Sequence, residues 1–204
     1  MKKLSTLAAA IVAGTVGLSA AVQAAPLNTN SPNVFSYTYI EADYINMDDF
    51  GDGLRLKGSF DIDKNLAIMG AVDFASEHGV DWRRISVGLG YHQKIANKTD
   101  ILVHGEVENI SLDWDSGYKH DWDDHYDRYN DDSDTGVRVG AEIRHALTSK
   151  VELFGDVSVT TAYDTDVPVT LGGRFSFTRQ LQATASFEFS DEDTFALGLR
   201  YYFR

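Results

Sequence analysis

Apolar residues fall on alternate positions along almost the whole chain after Phe35. The last stretch shows it plainly. Phe195, Leu197, Leu199, Tyr201 and Phe203 alternate with Ala196, Gly198, Arg200 and Tyr202. A strand points successive side chains to opposite faces, so this period builds sheet with one apolar face. Helical periodicity is hard to find anywhere beyond the first residues. The pattern gives ten candidate strands, at 35–45, 53–62, 66–76, 82–92, 99–112, 136–145, 151–160, 167–177, 181–189 and 194–204.

The connections differ in character. Those after even-numbered strands are short: "DKN", "KIANK", "ALTSK" and "TRQ". Those after odd-numbered strands are acidic and tend to be longer: "NMDDFGD", "EHGVD", the run from Asp113 to Asp134, "TAYDTD" and "SDED". A closed up-and-down meander has this asymmetry when its two ends face different surroundings, as transmembrane barrels do. The expected fold class is therefore all-β, a closed antiparallel up-and-down transmembrane barrel of ten strands. Eight strands is the alternative, if two segments fuse or lie outside the barrel.

Alternation alone also fits a soluble barrel with its apolar face inward. Three features favour the opposite facing. Between the apolar residues stand glycines and charges of both signs: Arg55, Lys57, Asp61, Arg84, Glu106, Glu108, Arg138, Glu142, Arg144, Asp156, Arg174, Glu188 and Arg200. Glycine weakens a water-facing strand but makes room inside a narrow barrel, where opposite charges can pair. The apolar face carries almost no charge, as a lipid-facing band requires. Aromatics such as Tyr37, Tyr39, Tyr44, Trp82, Tyr91, Phe175, Phe177, Phe187 and Phe189 lie toward strand ends, as interfacial girdles do. With ten strands the lumen is narrow, and a filled interior is the expectation.

The first residues set the compartment. "MKK" precedes an alanine-rich apolar run, and "VQA" offers small residues before a cut after Ala24, the layout of a secretory signal peptide. Residues 1–24 are expected to be removed, 25–34 to form a short flexible lead, and 35–204 to form the barrel. Loss of Lys2 and Lys3 would take the formal net charge from -13 to -15. Such acidity excludes nucleic-acid binding through a basic patch. With no cysteine there is no disulfide framework.

The signal peptide, the meander and the ending "GLRYYF" resemble small outer-membrane β-barrel proteins of Gram-negative bacteria, the OmpA/OmpX-like and related porin-like group. The resemblance implies an outer-membrane location, lipid and lipopolysaccharide as surroundings, and recognition by the outer-membrane assembly machinery. It also implies an assembly signal in the last strand, matched by Gly198, Tyr201 and Phe203. Arg204 departs from the pattern, in which the aromatic itself comes last. For function it leaves a structural, surface-interaction or limited small-solute role. The alternatives are a rim enzyme of protease or lipid A-modifying type and a soluble periplasmic ligand-binding barrel.

Candidate chemistry is sparse. Nine of the 22 residues from Asp113 to Asp134 are aspartate, with His120 and His125 among them. Carboxylate oxygens suit Ca2+ or Mg2+. Asp121, Asp123, Asp124 and His125 are close enough in sequence to share one weakly held divalent cation, although a solvated acidic loop is the plainer reading. Calorimetry should give a Ca2+ dissociation constant on the order of 10⁻⁴–10⁻³ M that is lost when the three aspartates become asparagine. An absence of heat at millimolar Ca2+ would end the idea. Glu77, His78, Asp81, His104 and Asp164 are the acids and histidines a rim enzyme could use. No serine–histidine pair stands at a recognisable spacing, and no enzyme is expected.

Overall fold

The computed structural model describes residues 35–77, 80–114 and 132–203. Ten strands run along the chain: β1 (Tyr39–Met47), β2 (Gly51–Asp63), β3 (Leu66–Glu77), β4 (Val80–Ala96), β5 (Thr99–Trp114), β6 (Asp132–Ala146), β7 (Val151–Thr160), β8 (Val169–Ser176), β9 (Leu181–Phe189) and β10 (Thr194–Tyr202). Each pairs antiparallel with its neighbours in the chain, and β1 pairs with β10 to close the barrel. The fold is the expected all-β, ten-stranded up-and-down barrel. The signal peptide, the flexible lead and Asp121, Asp123, Asp124 and His125 lie outside the described residues.

The alternation resolves into two walls. Leu54 is 63% exposed, Val87 60% and Val139 57%, and the same parity carries Ile40, Phe74, Leu89, Leu171, Phe187 and Leu199 outward on other strands. The opposite parity is buried and polar, with Glu41, Asp43, Arg55, Asp73, Glu108, Arg144, Glu152, Arg174 and Arg200. No water-soluble monomer leaves so continuous an apolar surface bare. The soluble alternative, with its apolar face inward, has the walls reversed.

Closure depends on one glycine. Asp43 and Gly198 are register partners where β1 meets β10. A Cβ on Gly198 would sit 2.2 Å from the Ala42 carbonyl oxygen and 2.2 Å from Asp43 Oδ1. Only a residue without a side chain lets this seam shut.

Several boundaries differ from the sequence reading. β1 begins at Tyr39, and Phe35 and Tyr37 turn into the lumen, where both are buried. Tyr39 and Trp82 also share the inward parity, so neither they nor Tyr37 belong to an outer girdle. β4, β5 and β6 run past the apolar stripe, and β6 begins at Asp132 rather than 136. Backbone pairing does not need lipid, so a hairpin continues after its apolar alternation has stopped. The length asymmetry of the connections shrinks accordingly. β1 and β2 are joined by 48–50, and the clearly longer connections are 115–131 and 161–168.

Candidate functional site

The inward charges form two clusters stacked along the lumen. Toward the short-turn end, Arg144 donates to Glu152 at 2.7 and 3.1 Å, and Arg174 also pairs with Glu152. Glu142 lies 3.8 Å from Arg144 and 3.6 Å from Arg174. Arg200 pairs with Glu41 at 2.5 Å, and Lys57 bridges Glu41 at 2.5 Å and Asp43 at 3.3 Å. The Tyr202 hydroxyl joins the two halves, accepting from Arg144 at 3.1 Å and Arg200 at 3.4 Å. Four cations thus face four carboxylates.

The second cluster lies nearer the long-loop end. Asp73, fully buried, accepts from Arg55 at 2.9 Å and Arg84 at 2.6 Å. Arg138 sits 3.3 Å from Glu108 and 3.8 Å from Glu188. Thr160 donates to Glu108 and Thr170 to Glu188. Three cations again meet three carboxylates. Charges buried this way are stable because each has a partner, and removing one member strands the other.

His104 stands apart on the β5 wall. Its Nδ1 lies 3.1 Å from Glu106 and its Nε2 3.0 Å from Asp156. Gly140 makes room for it, since a Cβ there would lie 2.6 Å from His104 Nε2. The Ser86 hydroxyl donates to Glu106 and not to the histidine, so Ser86 and His104 do not form a nucleophile–base pair. The other rim-enzyme candidates do not join it. Asp81 is exposed at the start of β4, Glu77 ends β3, Asp164 lies in the 161–168 connection, and His78 is outside the described residues. Among the described residues, no three acids or histidines are placed to hold a metal ion.

Apolar side chains ring both ends of the charged column. At the short-turn end, Phe35, Tyr37, Ala67 and Leu102 cluster, with Met69 and Ala146 packed against them. Tyr37 stacks on His92 with ring centroids 3.9 Å apart, and the Arg144 guanidinium lies 4.4 Å from the Phe35 ring and 4.8 Å from that of Tyr37. The segment before β1 therefore plugs the barrel. At the long-loop end, Ile45, Met47, Ala75, Trp82 and Ala196 form a second cluster with Phe50, Ile110 and Leu112.

Cavities remain among the described residues. A central chamber of about 140 Å³ lies among Arg84, Ser86, His104, Arg174 and Arg200. A vestibule of about 490 Å³ opens between the 147–150 and 177–180 turns. A mouth of about 300 Å³ opens at the long-loop end, with Met47, Phe50, Trp82, Ile110 and Leu112 in its walls. Arg55, Arg84 and Arg138 line both the mouth and the chamber, so their ion pairs divide the two.

The rim of this mouth is acidic. Burial and the nearby carboxylates of Asp49, Asp191 and Asp48 push Glu192 up to about 7. The folded form holds this proton more tightly than the unfolded chain does, so the rim should lose stability as pH rises through 7. Hydrogen exchange of residues 190–193 should be slower at pH 5.5 than at pH 8, and E192Q should remove the difference. A pH-independent exchange pattern after correction for intrinsic rates would contradict it.

Arg55, Lys57, Arg84, Glu106, Glu108, Arg138, Glu142, Arg144, Asp156, Arg174, Glu188 and Arg200 all take part in the lumen pairs above, while Asp61 pairs with His92 at 3.1 Å. The sequence reading did not single out Glu41, Asp43, Asp73, Asp100, Glu152 and His92, all buried. Their parity relative to the outward apolar residues was the signal that could have found them. Of the C-terminal motif, Tyr201 and Phe203 face outward with rings edge to face, 5.3 Å between centroids, while Gly198 faces the seam.

No protein-family model matches the chain, and no curated protein matches it in sequence. Solved structures show a distant similarity. The chain is similar to outer-membrane β-barrels. A KdgM porin is 10% identical, with 82% of this chain and 100% of that chain covered and a TM-score of 0.48. The translocator domain of the autotransporter NalP from Neisseria meningitidis is 12% identical over 98% of each chain, also at 0.48. The attachment invasion locus protein Ail of Yersinia pestis is 11% identical over 80% of this chain and 94% of that one, at 0.42. Likeness at this level concerns the barrel fold and says nothing of solutes or partners.

Proposed function

We propose that this chain is an integral outer-membrane β-barrel protein with a sealed lumen, serving envelope structure or surface interaction rather than bulk solute passage. The observation that carries this is the pair of ion-pair clusters across the lumen, plugged by Phe35 and Tyr37 at the short-turn end and enclosed by an outer wall whose mid-belt positions are apolar or glycine. The outer wall calls for lipid, and the filled interior leaves no water column for hydrated ions. In this reading lipid and lipopolysaccharide surround the belt, and Gly198, Tyr201 and Phe203 serve as the assembly signal.

The mature protein should fractionate with outer membranes and require detergent for release. In planar bilayers it should give no steady conductance. Recovery as a soluble periplasmic monomer would sink the membrane assignment, and stable open channels would sink the sealed lumen.

One observation favours a narrower passage reading. Tyr37 Oη, Ser59 Oγ, Arg84 Nε and Arg174 Nε are buried without a hydrogen-bond partner, and all four residues line the central chamber. Such groups call for water, and the chamber of about 140 Å³ has room for several molecules. On this reading water crosses where ions do not, which osmotic swelling of proteoliposomes would detect.

A further inference from the structure

We infer that the long-loop mouth is a binding site for a small aromatic or apolar molecule carrying a positive charge, such as a primary amine. The mouth has three parts, and each contributes a different selection. Its walls are apolar, and within them Phe50 and Trp82 stack with centroids 6.0 Å apart at 27°. Its volume of about 300 Å³ is at the lower bound for small-molecule sites. Aromatic faces attract a cation as well as an apolar ring.

Its floor is charged but neutral in sum. Arg55 and Arg84 are held by Asp73, and Arg138 by Glu108 and Glu188. The guanidinium groups are therefore occupied, and an anionic ligand would have to compete with buried carboxylates for them. The edge decides the sign. Asp164, Asp166, Asp191 and Glu192 all line the opening, and among the described lining residues the only lysines or arginines are the three paired arginines of the floor. Asp166 spends its two oxygens on the backbone N–H groups of Val167, at 2.6 Å, and Asp191, at 3.2 Å. Glu192 is different. Its Oε2 is buried with no hydrogen-bond partner. The carboxylates of Asp48, Asp49 and Asp191 stand near it, so negative charge gathers at this rim. An ammonium group here would offset that charge while its ring lies against Trp82 and Phe50.

The inference rests on the barrel's mouth and not on the membrane assignment. Insertion into lipid nanodiscs and binding are read separately, so either can fail alone. The test is calorimetry on the nanodisc-held protein with three probes of one shape: 2-phenylethylammonium, uncharged 2-phenylethanol and anionic 3-phenylpropionate. The ammonium should bind saturably, and the alcohol about tenfold more weakly, the factor expected of one cation–π and charge contact near 1.4 kcal/mol. The carboxylate should give no measurable heat. E192Q, in the 190–193 connection and with folding checked by nanodisc insertion, should bring the ammonium close to the alcohol. A162F, which fills the mouth, should abolish binding of both. Equal binding of the three probes, no saturable heat from the ammonium, or an unchanged ammonium preference in E192Q would each overturn the proposal.

Discussion

Val139→Arg should all but abolish recovery of the folded protein in membranes. Val139 lies on the outer wall, paired in register with Gly105 on β5 and Val159 on β7. An arginine here points into lipid at a cost of about 2–4 kcal/mol near the midplane. Folding yield into vesicles, read as the fraction that resists unfolding in unheated detergent, is the measurement. Val139→Leu should fold normally. The neighbouring Arg138→Val should also be impaired, for a different reason: it leaves Glu108 and Glu188 short of their nearest cation. Removing the stranded charges, by Glu108→Gln together with Glu188→Gln, should ease the Arg138→Val defect and leave the Val139→Arg defect unchanged. If the two variants responded alike to that change, the assignment of inner and outer walls would be wrong.

Replacing Arg144 by leucine should destabilise the barrel by about 3–5 kcal/mol, the range for breaking a buried ion pair. Arg144 is 1% exposed, and its guanidinium does several jobs at once. It donates to Glu152, to Tyr202 and to the Ser36 carbonyl oxygen at 3.3 Å, and it covers the rings of Phe35 and Tyr37. Urea unfolding in lipid vesicles gives the energy. Hydrogen exchange adds a local readout, because residues 35–38 should lose protection in the leucine variant before the strands do. Arg144→Lys keeps a charge but not the planar fork, and should fall between the two. Unchanged stability together with a protected 35–38 segment would show that the plug is held by its apolar contacts alone.

The strand count and both walls were legible in the sequence because both follow from parity. A residue such as Leu56 between Arg55 and Lys57 has only one way to point once lipid is outside. The plug was not legible, because Phe35 and Tyr37 continue the period-two pattern of β1. Sequence spacing cannot distinguish an aromatic that extends a strand from one that turns under it. What decides is the Arg144 guanidinium, more than a hundred residues away in sequence. The apolar collar at the long-loop mouth was hidden for a related reason. Ile45, Met47, Trp82 and Leu112 sit on the inward parity, where the middle of the barrel is charged. The inner wall changes character along the axis, and a one-dimensional pattern shows only the alternation across it.

The seam between β1 and β10 also has a consequence in time. Tyr39 pairs with Tyr202 and Met47 with Thr194, and the Arg200–Glu41 ion pair spans the same joint. The first strand to be made therefore waits for the last before its backbone groups are satisfied. Until then the chain is an open sheet with two bare edges, and such edges seek any partner strand. Contacts this distant in sequence also form slowly. A chain cut short before Thr194 should therefore aggregate through those edges and not close as a smaller barrel.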